Sequence, residues 1–260
     1  MEKMIKDLFG ALYTAYGILV FILPMPLVLL FHIYASILPE KKRLVRIYKA
    51  HSYWIRFWTF VIGTEFILEN EEKVDPQKSY VFVGNHVNML DVAMVGSMLF
   101  HPWKPLTKKE IKDIPLLGWL IGNISIVVDR RSPQSRSNSL LDMVDHLKKG
   151  ISILIFPEGS RNRKDIPLSK FYPGAFKTAI EAQAPILPLV IYNTRKLKPV
   201  NEFRLYPGKG YVRLLDPIST EGKTLEDLED LMKEVHEIME RQILELDDTF
   251  QTDAGISLAT

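Results

Sequence analysis

The sequence predicts an α/β fold: a central, mostly parallel-containing mixed sheet flanked by helices, preceded by an N-terminal membrane-embedded helical segment. Three observations carry this. From Glu69 onward, short β-rich runs alternate with helical stretches, the pattern of a layered α/β domain. The run "ISILIF", six residues and apolar but for Ser152, fits a buried strand. Ahead of these, from Leu8 to Pro39, no Asp, Glu, Lys or Arg occurs at all.

At 260 residues the chain suits one good-sized domain with an appendage. The boundaries expected are 1–68 for membrane-embedded and interfacial helices, 69–246 for the α/β domain and 247–260 for a flexible tail. The charge-free run exceeds the roughly 20 residues of one membrane span, and Pro24 and Pro26 interrupt it. Two readings stand: a kinked helix across the bilayer, or a re-entrant pair of short helices with both ends on one side. Lys3 and Lys6 before the run, and Lys41, Lys42, Arg43, Arg46 and Lys49 after it, put basic flanks at both ends and favour the second. The second flank also argues that the following chain stays at the cytoplasmic face. A cleaved signal peptide fits poorly, because the apolar region is far longer than an h-region of roughly 7 to 15 residues. Next, Tyr53, Trp54, Phe57, Trp58 and Phe60 surround a lone Arg56; they suit either a headgroup belt or the core of the following domain.

The elements of the α/β domain then follow in order. "SYVFVGN" reads as a strand, followed by a helix over 91–99, and "SIVVD" as the next strand. Ser137 can cap a helix running to Lys149, with Leu140, Leu141, Val144 and Leu147 at helical spacing and Gly150 closing it. After "ISILIF", Pro173 and Pro185 bracket a helix ending near Gln183, and "ILPLVIY" is a strand. A last helix starts at Thr224, with Asp227 three residues on and Leu225, Leu228, Leu231, Val235, Ile238 and Met239 as its apolar stripe.

Composition narrows the chemistry. With no cysteine there is no disulfide or thiolate metal site, and no metal or cofactor is expected. The net charge of +2 hides an asymmetry: residues 216–253 hold 13 acids against three bases, leaving 30 bases against 18 acids elsewhere. A basic surface can meet nucleic acid, an anionic bilayer or a phosphorylated substrate; the aromatic-rich apolar N-terminus favours the last two, so nucleic acid is not an expected partner. No Gly-x-Ser-x-Gly elbow is present, which argues against a serine lipid hydrolase.

Two stretches carry the candidate site. In "VGNHVNMLDVAM", His86 follows a strand and Asp91 lies five residues on. In one continuous helix their side chains would point about 140° apart, so they meet only if His86 lies in the loop entering the helix. Asp91 would then orient the imidazole and leave its other nitrogen as a general base. In "FPEGSRNR", Pro157 ends a strand and Gly159 permits a tight turn that brings Glu158 and Arg161 together at the strand's C-terminal edge, where open α/β sheets bind ligands. Arg offers a planar fork of donors that suits a phosphate. Between the two stretches, Lys108 and Arg130 each adjoin strand-like residues and can line the same edge.

"NHVNMLD" resembles the His-x4-Asp motif of the glycerolipid acyltransferases, and "FPEGSR" resembles their phosphate-binding motif, usually written with Thr where this chain has Ser160. "TKKEIKDIPLLGW…GNISIVVDR" and "KFYPGAF…APILPLVI" are softer matches in the same order, and together the resemblance covers residues 81–192. It implies transfer of an acyl chain from acyl-CoA or acyl carrier protein to the sn-2 hydroxyl of 1-acylglycerol 3-phosphate, lysophosphatidate, giving phosphatidate for phospholipid synthesis. His86 would take the hydroxyl proton and Asp91 would orient it. Lys108, Arg130 and Arg161 would bind the substrate phosphate, with Glu158, Gly159 and Ser160 shaping that pocket. "VVDR" lacks an aromatic often found near the arginine, which leaves Arg130 the softer assignment. Other acceptors (glycerol 3-phosphate, another lysophospholipid, an amino-lipid) and a non-catalytic lipid-phosphate-binding module remain as alternatives. The oxyanion stabiliser is not legible beyond a backbone N–H near the motif turns.

Overall fold

The structure, a computed structural model, describes residues 2–114 and 117–251. Three helices come first: α1 (Glu2–Ile22), α2 (Met25–Ala35) and α3 (Glu40–Val61). The break between α1 and α2 falls at Leu23–Pro24, where proline cannot donate to the preceding turn. Both helices pack on α3. Tyr13 Oη donates to the Ile62 carbonyl, while Trp58 Nε1 and Trp54 Nε1 donate to the carbonyls of Gly17 and Phe21 at 2.7 and 3.0 Å. Further along, His32 meets His51. The aromatic stretch therefore divides by face: Trp58 is buried and Trp54 half-buried against α1, whereas Tyr53, Phe57 and Phe60 are exposed. Leu8–Ala35 is long and apolar enough to cross a membrane, and Leu12, Leu19, Leu23, Leu27 and Leu30 all stand exposed on it. The side chains of Lys3 and Lys6, one of the two basic flanks, lie outside the described residues.

The chain then builds β1 (Thr64–Glu69), β2 (Val81–Gly84), α4 (Leu90–Met98), β3 (Trp103–Lys108), α5 (Lys109–Lys112), α6 (Leu117–Gly122), β4 (Ile126–Val128) and α7 (Pro133–Lys148). It continues through β5 (Ser152–Ile155), α8 (Gly174–Ala182), β6 (Ile186–Tyr192), α9 (Thr194–Leu197), β7 (Gly208–Leu214), α10 (Leu228–Leu246) and α11 (Asp248–Gln251). One seven-stranded sheet results, in the order β1-β7-β6-β2-β5-β3-β4, parallel throughout except where β6 meets β7. Alternate side chains feed two cores. Phe82, Leu154, Leu187, Leu189 and Ile191 face α3 and α4, and Val81, Val83, Ile153, Ile155, Ile186 and Val190 face α7, α8 and α10. Being buried on both faces is what makes these strands uniformly apolar.

Several boundaries move. β1 belongs to the sheet, paired with β7 from Thr64↔Gly208 to Glu69↔Arg213, so the α/β unit starts before residue 69. α7 begins four residues ahead of Ser137: Ser132 caps it, accepting from Ser135 N–H, and Pro133 takes its first turn, where a missing N–H costs nothing. The tail is structured at its start. Asp247 is buried and accepts from Asn193 N–H at 3.3 Å, and α11 follows it; residues 252–260 lie outside the described residues. At the last helix, Thr224 and Asp227 form a capping box, and Leu231, Val235 and Met239 are buried as the stripe requires, while Leu225 stays exposed.

The topology decides where a ligand can sit. From β2 the chain moves by α4 across one face to β3, and from the adjacent β5 it moves by α8 across the other face to β6. Neighbouring strands whose connections leave in opposite directions open a crevice at their C-terminal ends. The ends of β2, β3, β4, β5 and β6 all lie on that edge.

Candidate active site

β2 ends at Gly84, and residues 85–89 form the loop into α4. The loop is held before any catalytic group is placed. Asn85 continues the β2–β6 ladder with its side chain, donating Nδ2–H to the Ile191 carbonyl at 2.8 Å and accepting from Ile191 N–H at 2.7 Å. Gly84 is needed for close approach: a Cβ there would come 2.8 Å from Leu189 Cδ1 and 3.1 Å from Phe156 Cε1. Phe156, directly after β5, stacks on the His86 ring with centroids 4.4 Å apart.

Asp91 sits in the first turn of α4 and is fully buried. Its Oδ2 accepts the backbone N–H groups of Val87 at 2.6 Å and Asn88 at 2.9 Å, and lies 2.8 Å from His86 Nδ1. An oxygen that already accepts two N–H groups is the acceptor toward His86 too, so Nδ1 carries the proton and Nε2 keeps its lone pair. Among the described residues Nε2 has no hydrogen-bond partner. The loop-then-helix placement that a His-x4-Asp spacing demands is the one found.

The second motif closes over the first. Glu158, 4% exposed, accepts His86 N–H at Oε1 (2.7 Å) and Ser169 N–H at Oε2 (2.9 Å). Burial pushes its pKa up, against the pull of these donors and of His86. This corrects the expectation for Glu158: both oxygens bind the protein's own backbone, and a carboxylate would repel a phosphate, so it ties the two motif loops together instead of lining the anion pocket. Asn162 N–H donates to the His86 carbonyl at 2.6 Å, a third tie. Gly159 adopts φ +71°, and a Cβ there would strike the Tyr172 ring at 2.9 Å. Its carbonyl accepts from Arg130 Nη1. Arg130 thus reaches the expected loop, with one donor committed to holding it.

Ser160 and Arg161 follow on the exposed part of the same turn. Lys108 is exposed at the end of β3, in register with Val128 and two residues short of the level of Arg130. The structure therefore joins His86, Asp91 and Glu158 by hydrogen bonds, joins Gly159 to Arg130, and leaves Lys108, Ser160 and Arg161 without a side-chain partner among the described residues, on the same edge. Asn85, Asn88, Phe156 and Asn162 went unassigned in the sequence. Asn85 and Asn88 stand in the first quoted motif, but their partners Ile191, Thr194 and Lys198 are some hundred residues away. The backbone N–H groups of His86, Val87 and Asn88 are all taken, which excludes them as oxyanion donors.

A carboxylate-fixed imidazole with an open Nε2, beside unpaired cations and without a cysteine nucleophile, can activate an alcohol on an anionic substrate. The comparisons agree with that chemistry. The acyltransferase family model matches residues 65–192, the span from β1 to the end of β6. An uncharacterized acyltransferase of Schizosaccharomyces pombe is 35% identical over 193 residues, 72% of this chain and 68% of that one. A 1-acyl-sn-glycerol-3-phosphate acyltransferase of Haemophilus influenzae is 34% identical over 172 residues, 65% of this chain and 70% of its own. In fold, the crystal structure of the 1-acyl-sn-glycerophosphate acyltransferase PlsC from Thermotoga maritima superposes with a TM-score of 0.77 at 21% identity, covering 92% of this chain and 97% of that one. The sheet-edge dyad and its two interlocked motif loops thus sit inside a region shared with these enzymes, and the chain belongs to the glycerolipid acyltransferase family.

Proposed function

We propose that this enzyme moves an acyl chain from an acyl thioester, acyl-CoA or acyl carrier protein, to the sn-2 hydroxyl of 1-acylglycerol 3-phosphate, giving phosphatidate at a membrane surface. The observation that carries the chemistry is the 2.8 Å contact of His86 Nδ1 with an Asp91 oxygen locked as an acceptor. His86 Nε2 takes the hydroxyl proton as the oxygen attacks the thioester carbonyl; the C–O bond forms, a tetrahedral oxyanion collapses, and the C–S bond breaks. The thiolate leaves with the proton held on Nε2, and the histidine is neutral again. Asp91 stabilises the imidazolium in between. No metal or cofactor takes part in this scheme.

The acceptor assignment rests on Lys108 and Arg161, exposed cations on the site edge, and on the name of the relative from Haemophilus influenzae. Membrane attachment rests on the exposed apolar face of α1, α2 and α3, and the cytoplasmic face on Lys41, Lys42, Arg46 and Lys49, exposed at the start of α3. Flotation of the full chain with anionic lipid vesicles tests the attachment. The function is tested by incubating the purified chain in mixed micelles with labelled acyl-CoA or acyl carrier protein and a panel of acceptors. Phosphatidate from lysophosphatidate is the expected main product. Acylation of glycerol 3-phosphate or lysophosphatidylcholine with none of lysophosphatidate contradicts the reading.

A further inference from the structure

The short helix α9 (Thr194–Leu197) lies just past the region matched by the family model, yet it is tied to both loops that carry the candidate site. One tie runs through Asn88, which is 1% exposed. Its backbone N–H donates to Asp91 Oδ2 at 2.9 Å and its Oδ1 accepts Leu90 N–H at 2.8 Å. Its Nδ2 donates to the carbonyls of Thr194 at 3.1 Å and Lys198 at 3.3 Å, at either end of α9. The other tie runs through Arg195, whose Nη2 donates to the Lys164 carbonyl at 3.1 Å. Lys164 N–H donates in turn to Asn162 Oδ1 at 3.1 Å, and Asn162 N–H donates to the His86 carbonyl at 2.6 Å. α9 thus reaches Asp91 by one path and His86 by the other.

A helix of four residues does not hold itself; the chain after α10 seats it. Asn193, left-handed at φ +61°, donates its N–H to Asp247 Oδ2 at 3.3 Å, and its Oδ1 accepts Asp248 N–H at 3.1 Å. Lys196 pairs with Asp248, and the Arg195 guanidinium lies 5.6 Å over the Phe250 ring. Against this fixed seat the amide of Asn88 has a reach that its own turn does not need. Capping Leu90 N–H takes one side-chain oxygen, which a serine supplies as well. The buried NH2 group is satisfied by α9 instead.

We infer that Asn88 is a positioning residue for acyl transfer: anchored to α9, it holds the loop so that Asp91 Oδ2 faces His86 Nδ1. The inference rests on the reading of His86 as the base and adds to it an element, outside the matched region, that keeps the dyad in register. The tie matters because Asp91 Oδ2 takes the Asn88 N–H and His86 Nδ1–H on one atom, so a shift of residue 88 moves the acceptor that the imidazole needs.

The test is a double-substitution cycle on the full chain in mixed micelles. Asn88→Ser keeps an acceptor for Leu90 N–H but is too short to reach α9. In the wild-type background it is expected to lower kcat about tenfold, with KM for lysophosphatidate and for the acyl donor changed less than about twofold. In an Asp91→Asn background it is expected to lower kcat less than about twofold, because the pair it orients is already disabled. Poorer folding alone costs the same factor in both backgrounds. An equal fall in the two, or no fall in the wild-type background, therefore overturns the inference. Should Asn88→Ser not accumulate as folded protein, Asn193→Gly carries the same comparison and the same outcomes; it tolerates the left-handed backbone and releases Asp248 from α9. An active His86→Ala chain overturns the reading of the base itself, whereas with His86→Ala inactive the cycle bears on Asn88 alone.

Discussion

Three acceptor contacts on a single oxygen define the proposed catalytic dyad. Asp91 Oδ2 receives Val87 N–H, Asn88 N–H and His86 Nδ1–H, so one atom shapes the loop, fixes the tautomer and faces the imidazolium. Asp91→Asn is expected to lower kcat by on the order of 10²–10⁴ while KM for both substrates changes little, because a neutral amide cannot stabilise the charged imidazole. Steady-state kinetics check this; a loss under about threefold contradicts the role. At this scale the sequence is an uneven guide. The spacing of His86 and Asp91 only permits them to meet; "FPEGSR" and the resemblance it completes are what make the pair legible. Glu158 is not: beside Gly159 and Arg161 it reads as part of an anion pocket, and only its burial, with both oxygens filled by His86 N–H and Ser169 N–H, reveals a tie between loops.

Among the elements, the apolar strands β2, β5 and β6 and the helix α10, with the Thr224–Asp227 capping box just ahead of it, announce themselves, whereas β1, β3 and β7 do not. β3 carries Pro105 at a position opposite Leu154 and holds Lys104 and Lys108, which blur its pattern. β1 and β7 lie toward one edge and balance charge across the pair, Glu65 with Lys209 at 3.0 Å and Glu69 with Arg213 at 2.7 Å, so neither reads as apolar. The attachment of α3 to the sheet is just as cryptic. Glu40, its first residue, meets Lys104 Nζ at 2.6 Å. Burial acts to raise the Glu40 pKa, but the Lys104 hydrogen bond and the charges of Lys104, His146 and Arg43 outweigh it and hold the group below its ordinary value. A carboxylate with a lowered folded-state pKa adds stability above its unfolded pKa and loses it as pH falls through the folded one. Glu40→Gln is therefore expected to cost roughly 1–3 kcal/mol in denaturant unfolding at pH 7, and the gap to wild type should close below about pH 4. A gap that is constant with pH contradicts the ion pair.

Over the whole molecule, the sheet edge, the cations and the apolar helices form one arrangement. Five strand ends lie on that edge, β2 leads into the loop of the proposed base His86, β5 into the turn that holds it, and the segment after β6 is strapped through Leu205 to Thr14 of α1. Exposed Leu12, Leu19, Leu27 and Leu30 on α1 and α2 present an apolar surface to whatever solvent they meet. That surface, continued by Phe57 and Phe60 on α3, far exceeds the scattered single residues normal on a soluble protein. The charge-free run and its prolines are plain in the sequence, but the way α1 leans on α3 is not, because it depends on Trp54 and Trp58 reaching carbonyls 33 and 41 residues earlier. The fold class follows from patterning alone. The measurement closest to the central claim is single-turnover acyl transfer to lysophosphatidate by wild-type and His86→Ala protein at matched micelle concentration. The account predicts that the variant binds acceptor normally and forms phosphatidate at least about 10³-fold more slowly; transfer within about tenfold of wild type contradicts His86 as the base.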